Sequence, residues 1–303
     1  MPPLPPTPTD IIRLADWLEL CALVSASRTA SDSDLERALD QGSLLEPQAP
    51  EDREASEALE QQVVEVFSEL EQRALAAGSS YPFAVEIPLL RARRNWRPCS
   101  SYVFCLCLSY FGWTQTKGAK VYPRRIFEAL CVNVASRYVH GKAIRFASPR
   151  TSGTVPKSFA RAVDRLCRNH IGEGEGFRKQ PVLSGKDRGL DVVAWRHAPD
   201  RLPGKLVLFG NSASGLDWES KLSELQPRDF CADWMIKVPV SPLLKAFFMP
   251  HRMDRQYWEL NSRRAGIIFD RCRISALASR LPATNGSGDG LAWTRSMLAR
   301  VPR

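Results

Sequence analysis

The spacing of hydrophobic and polar positions divides the chain into a helical first part and a second part in which helices alternate with short strands. In the first 80 residues, apolar positions recur at helical spacing over residues 11–20, 31–44 and 51–77. Asp10 is a suitable N-cap for the first of these stretches, and Gly78 is a suitable stop after the third. The pattern therefore predicts three helices in this part of the chain.

The middle of the chain combines a strand pattern, a basic segment and an apolar segment. Residues 81–88, YPFAVEIP, predict a short strand, and residues 90–98, LRARRNWRP, predict a basic linker. Its arginines alternate with Trp96, a mixture that suits phosphate contact with stacking and equally suits a solvated linker beside a core tryptophan. Residues 100–113 are apolar on nearly all sides and predict a buried helix.

From Pro123 the pattern changes to alternating helices and strands. Helices are predicted at residues 123–140, 156–171, 216–225, 227–235 and 271–280, and strands at 143–146, 190–195, 206–210, 245–249 and 266–269. This order predicts an α/β sandwich around a small mixed sheet.

The predicted organisation has four parts. They are a Pro-rich tail at residues 1–9, an acidic helical N-terminal module at 10–95, an α/β domain at 96–280 with its core at 123–274, and a flexible basic C-terminal tail at 281–303. The tail prediction rests on the sequence ATNGSGDG that follows Pro282.

Charge differs sharply between the two parts of the chain. Residues 1–90 contain five Arg, no Lys and 17 acids, a net charge of −12, whereas the remaining residues contain 37 Lys and Arg and 16 acids, a net charge of +21. A basic region suits DNA, because Lys and Arg displace the counterions of phosphate backbones. The acidic helices suit a protein partner or a cover over the basic domain, or they are a solvated cap with no further role. The sequence also allows a homo-oligomer.

Cysteine and histidine usage argues against a zinc site. The eight Cys contain no CxxC pair and the four His no HExxH pattern. Most cysteines have apolar neighbours, which predicts buried thiols in a reducing compartment. The first residues show neither a basic region nor an apolar run, and no stretch is long enough to cross a bilayer. We therefore expect a cytoplasmic protein that has no contact with membranes.

One acidic position has the setting that phosphodiester chemistry requires. Asp191 is the only charged residue in the apolar run GLDVVAW, and an isolated buried charge needs a partner. The next predicted strand ends at Asn211, and the helix after it has Asp217 and Lys221 on one face. Hydrolysis near neutral pH needs a divalent ion held by oxygen ligands and a group that stabilises negative charge.

The run from KDRGLDVVAW to GLDWESKL resembles the PD-(D/E)xK restriction-endonuclease-like nucleases. The resemblance implies that Asp191 is a metal ligand and that Glu128, on the helix from Pro123, orients a water. The family's (D/E/Q)-x-K tripeptide falls on Asn211-Ser212-Ala213. Asn211 replaces the acid and Ala213 replaces the lysine. The resemblance then implies that Asn211 or a migrated Asp217 carboxylate completes the metal shell, and that a migrated Lys221 ammonium stabilises the transition state.

The resemblance implies a Mg²⁺-dependent DNA endonuclease, with Mn²⁺ as an alternative ion, in a bacterial restriction or anti-phage system. A second hypothesis is a DNA-binding or scaffold subunit that kept the fold and lost the chemistry, and a third is an RNA substrate. Predicted contacts to nucleic acid are Arg124, Arg125, Lys186, Arg188 and Lys205.

Each site residue also has a purely structural interpretation. Asp191 suits a structural cap or ion pair, and Glu128 suits a solvated helix face. Asn211 suits the turn that follows a strand. Lys221 and Asp217 suit a surface pair at i,i+4 spacing.

Overall fold

The computed structural model describes residues 9–43, 53–113, 121–150, 155–179, 188–283 and 289–301, together with residues 2, 4, 5 and 7. The first part of the chain forms α1 (Ile11–Val24), β1 (Thr29–Ser31), α2 (Asp32–Ser43), α3 (Arg53–Ala77), β2 (Phe83–Glu86), β3 (Leu89–Ala92) and α4 (Ser100–Phe111). The three predicted N-terminal helices are confirmed. Asp10 caps α1 by accepting a hydrogen bond from the Arg13 amide at 3.1 Å.

Part of the predicted basic linker is a strand. The strands β1, β3 and β2 form an antiparallel three-stranded sheet, in which β3 begins at Leu89. Leu90 and Ala92 point into the core, whereas Arg91 between them points to solvent. The alternation of buried and exposed positions is only four residues long and lies within a run of arginines. The charge of the segment therefore favoured a linker over a strand in the sequence analysis.

The second part of the chain contains the larger sheet. Its elements are α5 (Pro123–Tyr138), β4 (Lys142–Arg145), α6 (Phe159–Arg165), β5 (Glu175–Phe177), β6 (Val192–Arg196), β7 (Leu206–Ser212), α7 (Trp218–Lys221), α8 (Pro227–Trp234), β8 (Met235–Lys237), β9 (Leu243–Phe248), α9 (Trp258–Ala265), β10 (Ile267–Phe269), α10 (Arg271–Leu277) and α11 (Gly290–Leu298).

Five strands form a mixed sheet in the order β10-β9-β7-β6-β4. The neighbours β4, β6 and β7 pair antiparallel, and β7, β9 and β10 pair parallel. Side chains of β6 alternate between the two faces. Val192 and Ala194 pack into the core that contains α5, whereas Val193 and Trp195 pack into the core that contains α6 and α8. The predicted mixed α/β class is therefore confirmed.

One hydrophobic core joins the two parts of the chain. It contains Leu14 and Leu18 of α1, Phe67 of α3, Phe104 of α4 and Phe127 of α5. Residues 10–95 and 96–280, which the sequence predicts as separate units, therefore share this core. The physical reason is α4, because a helix that is apolar on nearly all sides must be covered on more than one side.

A buried network of charged side chains crosses the same junction. Arg73 of α3 donates to Asp16 of α1 at 2.8 Å, and Arg271 of α10 donates to the same Asp16 oxygen. Arg252 donates to Glu69 of α3 at 3.0 Å and to Asp270 at 2.6 Å. These charges are almost fully removed from water. Removing one partner would leave an uncompensated buried charge, so the network holds α1 and α3 in one arrangement against α10.

The chain after Pro282 also departs from its prediction. Residues 290–298 form α11, whereas the sequence predicts a flexible tail over 281–303; residues 284–288 lie outside the described residues. Trp293 and Met297, four residues apart, are buried on one face of the helix. The Trp293 ring contacts Phe104 with 5.2 Å between ring centroids. A short apolar stripe after a glycine-rich segment is a weak signal, and packing on α4 stabilises it.

Candidate functional site

Asp191 lies immediately before β6, where the sheet ends. Its amide donates to the Gly210 carbonyl of β7 at 2.9 Å. Its carbonyl accepts from the amides of Phe146 and Ala147 at 2.6 and 3.1 Å. Two residues opposite one is the arrangement of a β-bulge, which ends the regular pairing of β4 with β6 at this point.

The Asp191 carboxyl group is buried and bound by one neighbour on β7. Ser212 donates to the same oxygen, Oδ2, from its amide at 2.8 Å and from its hydroxyl at 2.7 Å. Burial raises the pKa of Asp191 to about 7, although the two Ser212 hydrogen bonds act to lower it; the charge of Glu128 raises it further. Asp191 therefore changes protonation state near neutral pH.

Glu128 of α5 is the second carboxyl group of this site. Its Oε1 accepts from Arg124 Nε at 3.2 Å, and its Oε2 accepts from Arg145 Nε at 2.6 Å. Glu128 is almost completely buried, whereas half of the Arg124 side chain is exposed. The helix that the sequence predicts to carry the second acid thus brings it close enough to affect Asp191, with both of its oxygens bound to arginine.

An aromatic group extends the site toward solvent. The Arg124 guanidinium lies 5.6 Å from the centroid of the Trp113 ring. Trp113 Nε1 in turn donates to the Ser214 hydroxyl at 2.8 Å. Trp113 is 47% exposed, so its ring and the Arg124 side chain form the accessible rim of the site.

Asn211 lies on the opposite face of the sheet from the Asp191 carboxyl group. Successive residues of a strand point to opposite faces, and Ser212 is the residue that binds Asp191. Asn211 instead donates from Nδ2 to Glu224 at 3.3 Å. Ala213 packs in a buried cluster with Phe247. The structure therefore does not bring the Asn211 amide and the Asp191 carboxyl group together.

Lys221 and Asp217 form a surface pair on the short helix α7. Lys221 Nζ lies 3.2 Å from Asp217 Oδ2, and 66% of the Asp217 side chain is exposed. No hydrogen bond or ion pair among the described residues connects either of them to Asp191 or Glu128. The expected convergence of Asp191 with the Lys221 ammonium is thus not observed.

The predicted contacts to nucleic acid occupy varied environments. Arg124 and Arg125 lie on the first turn of α5, and the Arg125 guanidinium lies 5.0 Å from the Tyr122 ring centroid. Arg188 pairs with Asp233 at 2.5 Å. Lys186 lies outside the described residues.

Lys205 is buried and has a structural role. Its ammonium group donates to the Ile171 carbonyl at 3.0 Å and lies 3.3 Å from a Glu173 oxygen. Lys205 is therefore not available at the surface for a phosphate group. In sequence it stands at the start of a predicted strand, where nothing distinguishes a buried lysine from an exposed one.

Three groups of the site are not evident from sequence. Arg145 lies at the end of β4, and Ser212 and Ser214 lie in and after β7. The sequence signal for the two serines is their spacing. Ser212 and Ser214 are two residues apart, which places both on one face if the strand continues.

The resemblance implies a Mg²⁺ ion, and the residues of this site do not fit one. Mg²⁺ takes one or two carboxylates together with water and phosphate oxygens. Here both Glu128 oxygens accept from arginines, one Asp191 oxygen accepts two hydrogen bonds, and Asn211 points away. Within the described ranges, no group of three or more His, Cys, Asp or Glu side chains is arranged to hold a metal ion.

Comparison with protein-family models, with curated proteins and with solved structures returned no match to this chain. None of the helices in the described part of the chain is both long enough and apolar enough to span a membrane.

Proposed function

We propose that this chain is a DNA-binding protein with a restriction-endonuclease-like α/β core whose carboxyl site is catalytically degenerate. The observation that carries the proposal is the occupation of both Glu128 oxygens by Arg124 and Arg145 beside Asp191. A nuclease site needs carboxylates that are available to a metal ion, whereas these arginines compete with a metal for one of them. The family resemblance supports the fold, and the buried Ala213 in place of the lysine supports the loss of chemistry.

Charge supports DNA as the partner. The net charge of +21 after residue 90 favours a polyanion. Arg124 is half exposed and lies beside an exposed Trp113 ring, so a phosphate group can reach the guanidinium without unfolding the site. Glu128 then holds Arg124 and Arg145 in place rather than acting on the phosphate.

The test combines binding and cleavage on the full chain. We expect a short fluorescein-labelled DNA duplex to bind, with an affinity that falls by at least about tenfold between about 50 and about 200 mM salt. Arg124→Gln should weaken binding by about fivefold or more, whereas the matched change Arg228→Gln on the exposed side of α8 should not. Absence of binding at low salt contradicts the proposal.

A Mg²⁺-dependent DNA endonuclease, in a bacterial restriction or anti-phage system, is the second candidate function. The observation that favours it is the proximity of two buried carboxyl groups, one with a pKa of about 7, since perturbed acids concentrate at functional sites. Supercoiled plasmid incubated with Mg²⁺ or Mn²⁺ separates the two candidates. Nicking by the wild type that disappears in Asp191→Asn and Glu128→Gln establishes the nuclease. Cleavage of RNA instead of plasmid in the same assay identifies the third hypothesis.

A further inference from the structure

A basic groove lies away from the carboxyl site, between the end of α1, the segment around Trp96 and α11. Its volume is about 690 Å³, and its apolar lining includes Leu23, Leu298 and Val301. Its polar lining consists of Arg28, Trp96, Arg295 and Arg300, which we call the arginine groove.

The arginine groove has unbalanced positive charge. None of its lining residues is acidic, and Arg28, Arg295 and Arg300 form no ion pair with an acid elsewhere in the described ranges. Arg28 is anchored, because its Nη1 donates to the Leu23 carbonyl at 2.7 Å. Arg295 and Arg300 are exposed at the end of α11. The groove therefore attracts an anion.

Trp96 lines the arginine groove and carries an N–H donor. It is only 8% exposed, and its indole N–H donates to no described residue. Among the described residues this nitrogen is not one of the buried polar atoms that lack a partner, so solvent reaches it and it is available to donate to a bound group. Arg94 and Arg97, both exposed, flank Trp96 in the chain and extend the positive surface beyond the groove.

The spread of these charges favours an extended polyanion over a small anion. Three arginines line the arginine groove and two more flank Trp96 in the chain, whereas a single phosphate or carboxylate group is satisfied by one or two. The apolar lining suits the sugars and bases that a single strand exposes between its phosphate groups.

We propose that the arginine groove binds a single strand of nucleic acid, with Arg28, Arg295, Arg300 and the Trp96 N–H contacting its phosphate groups. The proposal rests on the proposed DNA binding and assigns it a second contact surface, formed by the N-terminal and C-terminal parts of the chain. It also gives a role to the basic segment LRARRNWRP, which the carboxyl site does not use.

The experiment measures the affinity of the full chain for a fluorescein-labelled oligothymidylate by anisotropy. Arg295→Glu combined with Arg300→Glu should weaken binding by about tenfold or more and lower the salt dependence by about 0.7 for each phosphate group that is no longer bound. The control combines Arg201→Glu with Arg228→Glu, two exposed arginines outside the groove, and changes the net charge equally. Trp96→Phe, which keeps an aromatic ring but removes the N–H, should weaken binding about threefold or more.

Three outcomes contradict the inference. Equal loss in the groove variant and in the control shows that only net charge matters, while DNA binding by the wild type still stands. Failure of the wild type to bind either oligothymidylate or duplex removes the proposed function and the inference together. Capture by phosphatidylserine vesicles that depends on Arg295 and Arg300, without an effect of either on oligothymidylate binding, identifies a lipid surface instead.

Discussion

Asp191→Asn tests how much the ionisable group of the buried acid changes the stability of the fold. The asparagine oxygen can accept the same two hydrogen bonds, from the Ser212 amide and hydroxyl, that Asp191 accepts. The substitution removes only the ionisable group and keeps nearly the same size. We therefore expect a folded variant whose unfolding free energy differs from that of the wild type mainly above about pH 4.

The magnitude follows from the raised pKa. Burial raises the pKa of Asp191 from the ordinary value of 3.8 to about 7. Between these values the folded chain keeps a proton that the unfolded chain has lost, so the stability of the wild type falls as the pH rises from about 4 to about 7. The difference between the folded and unfolded pKa of Asp191 corresponds to about 4 kcal/mol of unfolding free energy, because a tenfold change in the protonation equilibrium is worth about 1.4 kcal/mol. The unfolding free energy of Asp191→Asn should not fall in this way, because asparagine does not ionise.

Guanidinium chloride denaturation followed by circular dichroism at about pH 4.5, 6 and 8 measures the effect. The variant should gain stability relative to the wild type as the pH rises, by up to about 4 kcal/mol at pH 8. Asp217→Asn, at an exposed surface carboxylate, is the matched control and should show no such trend. A difference between Asp191→Asn and wild type that stays constant from pH 4.5 to pH 8 would refute the reasoning.

Two further predictions concern the buried polar groups outside the carboxyl site. Burial lowers the pKa of His251 to about 4, so the wild type should lose up to about 3 kcal/mol of stability as the pH falls from about 6.5 to about 4. His251→Gln should flatten this part of the pH dependence in the same denaturation assay, and an unchanged slope contradicts the assignment. Arg73→Met leaves Glu19 and Asp16 short of a buried partner and should cost about 3–5 kcal/mol of unfolding free energy. Arg37→Met at an exposed pair is its control, and equal losses in the two variants would exclude a special role for the network.

The sequence alone was sufficient for most of the helices, though not for α9 and α11, and for the class of fold. Periodic apolar residues and Asp10 located α1, and Pro123 located the start of α5, because these signals depend only on neighbours in the chain. It also singled out Asp191, since one charge in an apolar run needs compensation wherever the strand packs. Glu128 emerged from the resemblance, and the structure brings it close to Asp191.

Only the tertiary structure decided which groups meet. Asp191 lies one residue outside β6, at a bulge, so alternation along the strand does not set the direction of its side chain. Ser212 rather than Asn211 therefore binds it, and Arg145 reaches Glu128 from β4. The packing of α11 likewise depends on a core formed by distant helices. These contacts join residues far apart in the chain, and periodicity carries no information about which distant faces come together.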